Sequence, residues 1–583
     1  MKIELIKYTP CSINDIILRK LILLCLLYSI QSPNVQAQAG IVGSHPTGPS
    51  ITNTGANIIG GSGTYWVVSN GNFTLVSPFA IRPATMDNLT IAARGSLTLP
   101  SSTCLTVSET LTNKNTTDTG VRIKSDSTGT GSLITAAATP SGTAAAARWM
   151  SAGKWTLVSA PITESVSAFL SANPAIGTSG ALRSMMDYNP GQNSWNPFFS
   201  TGAGDGALSD GRGFAMHIVA ANTAVTFTGS LQAGTLTANG LTPGAWNCVG
   251  NPYTSAIGIN SASSAVNDFL SLNLGATPNI DPSFGAIYIW EQPDALNNQT
   301  GGYTVISNVP VSSHAFNIQQ GQAFLIKTNT TATSVDFSHA MQLHIPNLAL
   351  KAAAIAWPVI QLSATVNSQK STTCIAFNDQ MTKGLDPTYD VGMLRTNSPL
   401  SVYTRLVEDN GVPFVIQSLP GSSISTVVIP VGLESTAGGE VVFSSKTISL
   451  PSGSKVILED KATKTFTDLE AGVYKTTIAA NSVITDRFLL HTSTKTISDL
   501  PVHPLLSDLN AYMFLNTEIH IEGTVTAQAV ATLYDVLGRV VLSNKLNEGD
   551  LNVIPTPNMS SGIYLLRVID QGVMHPFKLR ITQ

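Results

Sequence analysis

The chain has 583 residues, of which 11% are charged, and its formal net charge is −4. A single hydrophobic core stops growing at roughly 250–300 residues, so this length predicts several domains. The slightly negative charge and the lack of any Lys/Arg cluster exclude nucleic acid as a partner, because phosphate backbones are bound by basic surfaces.

The first 39 residues have the features of a secretory signal peptide. Two basic residues precede the apolar run 21–30, and residues 37–39 supply the small-x-small pattern of a signal peptidase site. This run is too short to span a bilayer of about 30 Å as a helix, and no later run reaches the roughly 18 apolar residues required. We therefore expect a secreted protein without a transmembrane helix, whose mature form begins at Gly40.

Residues 40–150 predict a β-solenoid-like region. Short strands that alternate apolar with hydroxyl residues follow at close intervals, for example at 89–91, 96–99 and 105–107. Strands of this length suit stacked rungs, in which each rung buries its apolar row against the next. An irregular edge of a β-sandwich is the alternative interpretation of the same pattern.

Residues 151–346 predict a tandem β-rich repeat, with copies at 151–240 and 241–346. In both copies a tryptophan, Trp155 or Trp246, stands six residues before a proline. The segment 211–214 then matches 321–324, and the next phenylalanine lies thirteen residues further on in both copies. Four landmarks in one order indicate a duplication. We expect the two tryptophans to be core residues.

Four aromatic residues between these landmarks are candidate ligand-binding residues: Tyr188, Trp195, Trp290 and Tyr303. Aromatic rings near amides and carboxylates at loop positions can stack on the apolar face of a sugar. The alternative is that each ring is a core anchor of its repeat, because large aromatic residues mostly fill cores.

Residues 347–500 predict a β-sandwich, since seven or so alternating strands fit within about 150 residues. Four stretches resemble the sandwich that precedes the sorting domain in many large Bacteroidetes surface proteins: Asp386-Pro387-Thr388-Tyr389-Asp390, Leu458-Glu459-Asp460, Gly472-Val473-Tyr474 and Asp486-Arg487-Phe488-Leu489-Leu490. No activity follows from this resemblance.

Residues 501–583 predict a small C-terminal β-sandwich. Apolar runs at 530–534, 540–542, 563–568 and 577–581 have the period of two that a half-buried strand requires. The breaks between the runs contain turn residues, and we expect Gly538 and Gly562 to occupy turns with positive φ.

Three stretches of this tail form a more specific pattern: Leu533-Tyr534-Asp535-Val536-Leu537-Gly538-Arg539, then Gly562-Ile563-Tyr564-Leu565, then Lys578-Leu579-Arg580-Ile581. Their order and closeness to the C-terminus resemble the type A C-terminal sorting domain of the type IX secretion system. The resemblance implies that the secretion machinery and its sortase-like peptidase are partners. It also implies a sorting-domain motif that consists of Leu533, Tyr534, Asp535, Gly538, Arg539, Gly562, Tyr564 and Lys578.

A metal site has weak support in the sequence. Asp205 and Asp210 lie in a Gly-rich loop, where hard oxygen ligands suit calcium. Aspartates in such loops are more often turn formers, so we predict no cofactor and keep calcium as the alternative. His339 and His344 are separated by five positions, which places them on opposite faces of a strand.

The chain also shows little of the chemistry of an enzyme. It contains no G-x-S-x-G, H-E-x-x-H or phosphate-binding G-x-x-x-x-G-K-[ST] motif. Asp386 and Asp390 form a local carboxylate pair, but glycosidases need carboxyl groups about 5–9.5 Å apart across a cleft. We predict that the protein is not an enzyme.

The sequence as a whole predicts an all-β, multidomain protein that is exported to the cell surface or the medium. We expect a structural or adhesin-like role. A carbohydrate-binding surface protein is the alternative, and a secreted glycan hydrolase or peptidase is a weaker one. Surface glycans or other surface proteins are the partners that these roles would require.

Overall fold

The computed structural model describes most of the chain after residue 49. The described residues are 50–52, 65–74, 84–116, 119–139, 142–197, 199, 206–208, 211–219, 221–264, 267–291, 302–309, 317–345, 357–395, 398–408, 410–493, 509–514, 517–536, 538–556, 559–570 and 573–581. The predicted signal peptide, 1–39, lies outside them. None of the helices in this described part of the chain is long and apolar enough to cross a membrane.

The chain divides into two compact units. The second unit comprises Ser425–Val428, Gly453–Val473 and Asp486–Gln583, and the remaining residues form the first. About 59% of the described residues are in strands and 4% are in helices. The prediction of an all-β, multidomain protein is therefore confirmed.

The N-terminal region of the first unit consists of strands. They are β1 Ser50–Thr52, β2 Tyr65–Thr74, β3 Ala84–Leu99, β4 Cys104–Asn113, β5 Thr119–Ile123, β6 Ser125–Asp126, β7 Gly129–Thr130, β8 Ser132–Thr139 and β9 Thr143–Met150.

Most of these strands pair in parallel. The long strand β3 pairs in parallel with β2, β4 and β5, and the ladders continue from β4 to β8 and from β5 to β9. Buried asparagines tie neighbouring segments together: Asn115 Nδ2 donates to the Gly95 carbonyl at 2.7 Å, and Asn113 Nδ2 donates to the Thr143 carbonyl at 2.9 Å. Parallel pairing is what stacked rungs require, and the solenoid interpretation stays a prediction.

The first repeat follows β9 directly. Its elements are β10 Trp155–Ser159, β11 Ile162–Ser165, α1 Val166–Ala172, β12 Thr178–Ser179, β13 Leu182–Arg183, β14 Met185–Asn189, β15 Ser194–Trp195, β16 Ala207–Leu208, β17 Gly213–His217 and β18 Thr223–Leu231. Strand β18 pairs antiparallel with β9. One apolar core therefore joins the parallel strands to this repeat.

The second repeat has the same order of principal elements. It contains β20 Trp246–Gly250, β21 Ala256–Gly258, α2 Phe269–Asn273, β22 Ile287–Glu291, β23 Gly302–Ile306, β24 Asn317–Ile318, β25 Ala323–Lys327, β26 Ser334–Phe337, the 3-10 helix His339–Met341 and β27 Gln342–Leu343. Strand β19 Leu236–Asn239 lies at the end of the predicted first copy and pairs antiparallel with β26.

The sheets of the two repeats support the predicted duplication. The strand order is β10-β17-β14-β15 in the first and β20-β25-β22-β23 in the second. The register is also the same, because Trp155 pairs with His217, three residues after Phe214, and Trp246 pairs with Lys327, three residues after Phe324. Both tryptophans are half-buried rather than fully enclosed.

A pair of equivalent asparagines closes each repeat. The buried Asn173 follows α1, donates through Nδ2 to the Phe169 and Thr226 carbonyls at 2.8 and 2.9 Å, and accepts from the Thr226 N–H at 2.8 Å. Asn273, also buried, makes the same three bonds to Phe269 and Asp336, at 3.0, 2.9 and 2.9 Å. In both repeats the side chain satisfies backbone groups at the point where the helix meets the last strand.

The two repeats also contact each other reciprocally. The Ser159 N–H donates to the Gly321 carbonyl at 3.1 Å, and the equivalent Gly250 N–H donates to the Gly211 carbonyl at 2.8 Å. Gly211 and Gly321 have φ values of 71° and 66°, a left-handed backbone conformation that favours glycine. The repeated glycine therefore marks the corner where the copies meet.

A larger sheet completes the first unit. It contains β28 Val359–Val366, β29 Gln369–Phe377, β30 Val391–Gly392, β31 Leu400–Thr404, β32 Phe414–Leu419, the 3-10 helix Gly421–Ser423, β33 Val428–Ser435, β34 Gly439–Ile448 and β37 Tyr474–Ile478. The strand order is β33-β31-β32-β29-β28-β34-β37, with β30 beside β32.

The second unit contains a three-stranded segment and the tail. Its strands are β35 Lys455–Asp460, β36 Thr465–Asp468, β38 Ser482–Ser493, β39 Asn510–Phe514, β40 Glu518–Val525, β41 Val530–Tyr534, β42 Val540–Lys545, β43 Gly549–Pro555, β44 Gly562–Asp570 and β45 Val573–Ile581. The buried Asp460 binds Arg487 through two bonds of 2.8 and 2.6 Å, and both residues belong to the stretches that resemble a surface-protein sandwich.

The tail has two sheets around one core. The sheets have the orders β39-β40-β43 and β42-β41-β44-β45. Their inner faces contribute Ile519, Ile521, Leu533, Leu566 and Val568, all of which are fully buried. The residues of each strand that alternate with these core residues face outward.

The equivalence of the two asparagines gives a matched prediction. Asn173→Ala and Asn273→Ala each leave three buried or half-buried backbone groups without their side-chain partner. Each should lower the free energy of unfolding of the first unit by about 2–4 kcal/mol. Urea denaturation of the full chain measures this change by tryptophan fluorescence, because all seven tryptophans lie in the first unit. The exposed Asn267 is the control, and Asn267→Ala should change the midpoint little. If only one of the two buried asparagines matters, the copies are not energetically equivalent.

Candidate functional site

The four candidate aromatic residues occupy equivalent hairpins of the two repeats. Tyr188 pairs with Trp195 between β14 and β15, and Trp290 pairs with Tyr303 between β22 and β23. The ring centroids lie 5.1 Å apart in the first pair and 5.2 Å apart in the second, both edge to face. The duplicated strand register therefore places an aromatic pair at the same position in each copy.

These four rings meet in one apolar cluster. All of them are half-buried, and they pack against core residues from both repeats and the larger sheet, including Leu157, Tyr288, Val359 and Ile416.

Three polar atoms of the aromatic cluster differ in their surroundings. A side-chain hydrogen bond joins Trp195 to Tyr303, and burial raises the pKa of the Tyr303 hydroxyl well above its ordinary value. The indole nitrogen of Trp290 is buried without a hydrogen-bond partner among the described residues. The alternative of core anchors describes these contacts well, and a role in binding stays a prediction.

A cavity of about 380 Å³ lies where the two repeats adjoin. Tyr188 is the one candidate aromatic residue that lines it, beside Asp187, Arg212, Asn239 and Asn247. Arg212 and Asp187 form an ion pair of 2.8 Å within the wall. The cavity therefore combines an aromatic ring with charged and amide groups.

The sequence did not single out Asp187 and Arg212, although both line the cavity. Asp187 directly precedes Tyr188, and Arg212 lies inside the repeated segment 211–214. The second repeat has Ile289 in the position equivalent to Asp187 and Gln322 in the position equivalent to Arg212. This difference in charge between the two copies is the sequence signal that could have identified the ion pair.

The predicted calcium ligands Asp205 and Asp210 lie outside the described residues. Within the described residues, no group of three or more His, Cys, Asp and Glu side chains is arranged to hold a metal ion. The two histidines that sequence spacing had separated make different contacts. His344 contacts Ser132 Oγ at 2.7 Å and Thr106 Oγ1 at 2.9 Å, whereas His339 contacts Gln342 at 2.9 Å.

The local carboxylate pair holds a loop. Asp390 is fully buried, and its two oxygens accept from the Asp386 and Ser418 N–H groups, both at 2.6 Å. Burial raises the pKa of Asp390 to about 7, although these hydrogen bonds oppose the shift. Asp386 itself accepts from the Thr382 N–H at 2.6 Å.

The first sorting-domain stretch forms the turn between β41 and β42. The Asp535 carboxylate accepts from the Arg539 N–H at 3.0 Å and from Arg539 Nε at 2.7 Å. The Gly538 N–H donates to the Asp535 carbonyl at 3.0 Å, and Gly538 has a φ of 76°. The predicted positive φ of Gly538 is confirmed, and Leu533 at the start of the stretch is a core residue.

The second and third stretches pair with each other. Gly562 begins β44 opposite Ile581, and Tyr564 lies opposite Leu579. Tyr564 donates its hydroxyl to the Ser560 carbonyl at 3.0 Å. The prediction of positive φ at Gly562 is wrong, because this residue is the extended start of a strand rather than part of the preceding turn.

Comparisons with known proteins agree on two parts of the chain. Residues 64–491 match the family described as a domain of unknown function (DUF8693), and residues 515–579 match the secretion system C-terminal sorting domain. No curated protein matches the chain. A solved structure titled biofilm associated protein, BSP domain, has 9% sequence identity and a TM-score of 0.12, with 75% of this chain and 92% of that chain covered. A TM-score this low carries no argument about fold or function.

The two glycines of the tail should respond differently to the same substitution. Gly538→Val forces a β-branched residue into positive φ and should destabilise the tail by about 1 kcal/mol or more. Gly562→Val meets no such strain, since its new Cβ would lie 3.6 Å from the Tyr564 ring. Protease resistance of the tail in the full chain measures both effects. Equal loss of resistance in the two variants would contradict the assignment of the turn.

The buried carboxylates predict how stability depends on pH. Burial raises the pKa of Glu164 from 4.5 to about 7, and the pKa of Asp390 rises in the same direction. A raised pKa in the folded state stabilises the protein below the unfolded value of about 4.5, and this stability is lost as the pH rises through about 7. The first unit should therefore lose stability between pH 5 and pH 8, of which Glu164 contributes up to about 3 kcal/mol.

Glu164→Gln tests this contribution. The variant retains an oxygen to accept from the Thr228 N–H, which lies 3.0 Å from the carboxylate, but it cannot ionise. Urea midpoints by tryptophan fluorescence at pH 5 and pH 8 should differ less for the variant than for the unaltered chain. An unchanged difference would mean that Glu164 ionises normally in the fold.

Proposed function

The chain belongs to the family of the domain of unknown function DUF8693 and ends in a secretion system C-terminal sorting domain, and from this premise we propose that it is a structural, adhesin-like protein of the cell surface. Its export runs through the type IX secretion system, with the machinery and a sortase-like peptidase as partners. The sorting domain is the single observation that carries the proposal.

The composition supports a non-enzymatic surface role. Only 11% of the residues are charged, against about 25% in ordinary soluble domains, so hydroxyl and amide groups supply most of the polarity. Many buried amides, such as Asn115, Asn173 and Asn273, are used to satisfy backbone groups. These polar side chains therefore stabilise the β framework, which suits a protein that acts through its surface.

The contacts of Asp390 and His344 favour the same role. Asp390 is buried and bound by two backbone N–H groups. His344 lies between two hydroxyl groups, and burial lowers its pKa to about 4. These groups make hydrogen bonds inside the fold. We propose that the protein performs no catalysis.

The cavity between the repeats favours carbohydrate binding as a second candidate function. An aromatic ring, Tyr188, lies beside the Asp187–Arg212 ion pair and the amide of Asn239. A ring that stacks on a sugar and polar groups that bind its hydroxyls are the elements of such a site. A glycan array tests this function: selective binding that Tyr188→Ala abolishes would support it, and no binding would leave the structural role.

The export route is tested by removing the tail. Deletion of residues 503–583 removes the whole sorting domain, so the chain loses its signal for crossing the outer membrane and should stay in the periplasm. The first unit should still fold, because it has a core of its own. Surface protease accessibility of intact cells that carry the type IX secretion system measures delivery. The full-length chain is the control, and surface display of the truncated chain would contradict the proposal.

A further inference from the structure

The four-stranded sheet of the tail has an outward face that its core does not use. Ala531, Leu533, Leu566, Val568 and Leu579 point inward and are buried. Their neighbours along β41, β44 and β45 point outward. We call this outward surface of β42, β41, β44 and β45 the outer face.

Register brings the three sorting stretches together on the outer face. Tyr534 from the first stretch lies opposite Leu565 from the second, and Leu565 lies opposite Lys578 from the third. Val540 extends the row on the other side of Tyr534. Directly opposed residues of an antiparallel sheet share one face, so each stretch contributes one side chain to a single row.

The row is apolar and accessible. Leu565 is 49% exposed and Val540 is 59% exposed, and Ile563 and Met574 on the same sheet are exposed as well. Neighbouring exposed apolar side chains on a folded protein mark an interaction surface. The fold of the tail does not require these side chains to be apolar, because its core lies on the opposite side of the sheet.

The charges on this sheet have one sign. Lys545 lies opposite Val530, Arg567 opposite Thr532, and Arg580 opposite Ile563, which places all three with Lys578 on the outer face. The acidic residue of the four strands, Asp570, is buried and binds Thr526. The outer face therefore carries a row of mainly apolar side chains with basic side chains around it.

The other sheet of the tail shows that this charge is specific to one face. Its outward side has the carboxylates Glu518 and Glu522 on β40 and the exposed Leu551 and Val553 on β43. Leu551 is 55% exposed, close to the value for Leu565. The two outward sides are alike in apolar exposure and opposite in charge.

We infer that the outer face is the docking surface of the sorting domain, and that its row of Val540, Tyr534, Leu565 and Lys578 binds a component of the type IX secretion machinery. Charge complementarity assigns that component an apolar surface with carboxylates at its rim. This inference rests on the proposed export route. It gives the three separate stretches one shared surface.

Matched substitutions in the full chain test the inference. Leu565→Glu and Leu551→Glu introduce the same charge at similar exposure on the two outward sides, and only Leu565→Glu should reduce surface delivery, by about tenfold or more. Lys578→Glu should reduce delivery in the same way, whereas Lys578→Arg should not. Lys370→Glu, at an exposed position of the first unit, is the control for a charge reversal elsewhere.

The readouts are surface protease accessibility of intact cells, accumulation of full-length chain in the periplasm, and protease resistance of the purified variant. Normal delivery of Leu565→Glu and Lys578→Glu would overturn the inference, as would equal loss from Leu551→Glu. If Leu565→Glu loses the fold of the tail, the exposed Lys578→Glu decides. If the unaltered chain self-associates and the Leu565→Glu variant does not, while its delivery is normal, the occupant of the outer face is a second copy of the chain. That result would also overturn the inference.

The deletion and the substitutions test two different proposals, the export route and the docking surface. Delivery of the chain that lacks residues 503–583 would overturn the export route itself. Retention of that truncated chain, together with normal delivery of both glutamate variants on the outer face, would overturn the docking surface alone.

Discussion

The exchange of backbone hydrogen bonds between the two repeats is the constraint on which the middle of the first unit depends. Gly211 and Gly321 turn the chain through positive φ, and each carbonyl then accepts from the first strand of the other copy. A side chain at Gly211 would lie 2.9 Å from the Phe337 ring. The duplication is thus stabilised by an interface in which each copy contributes the same groups.

This interface also explains where the aromatic residues lie. Once the corners fix the two sheets against each other, β14 and β22 carry their aromatic pairs into one cluster. The copies then diverge in what they add: the first has the Asp187–Arg212 ion pair, and the second has apolar Ile289 and the amide of Gln322 in those positions. Within this duplicated frame, the first copy supplies the charged groups of the cavity wall, and Asn247 of the second copy supplies an amide.

The sequence predicted elements well where alternation and landmarks were local. The strand predicted at 530–534 coincides with β41, and the fourth apolar run of the tail lies within β45. Strands β39, β40 and β43 of the tail were not predicted. In β40, Ile519 and Ile521 alternate with polar residues, a local period of two that the predicted runs missed. Strands β39 and β43 form through pairing with β40.

Site residues were harder to predict, for physical reasons that differ between cases. Gly538 and Gly562 look alike as turn glycines, but only Gly538 lies inside the turn that the Asp535 carboxylate closes. The aromatic residues could be identified from the repeat, whereas their half-burial depends on the larger sheet that packs on them. Contacts between distant segments have no signature in local spacing.

The core of the tail is formed by residues of the tail. Among the described residues, those that form this core and those packed against it lie between positions 509 and 579. The strands that carry Tyr534, Leu565 and Lys578 are therefore held in register by contacts within the tail. The geometry of this surface is therefore set by the strand pairing and the core of the tail itself.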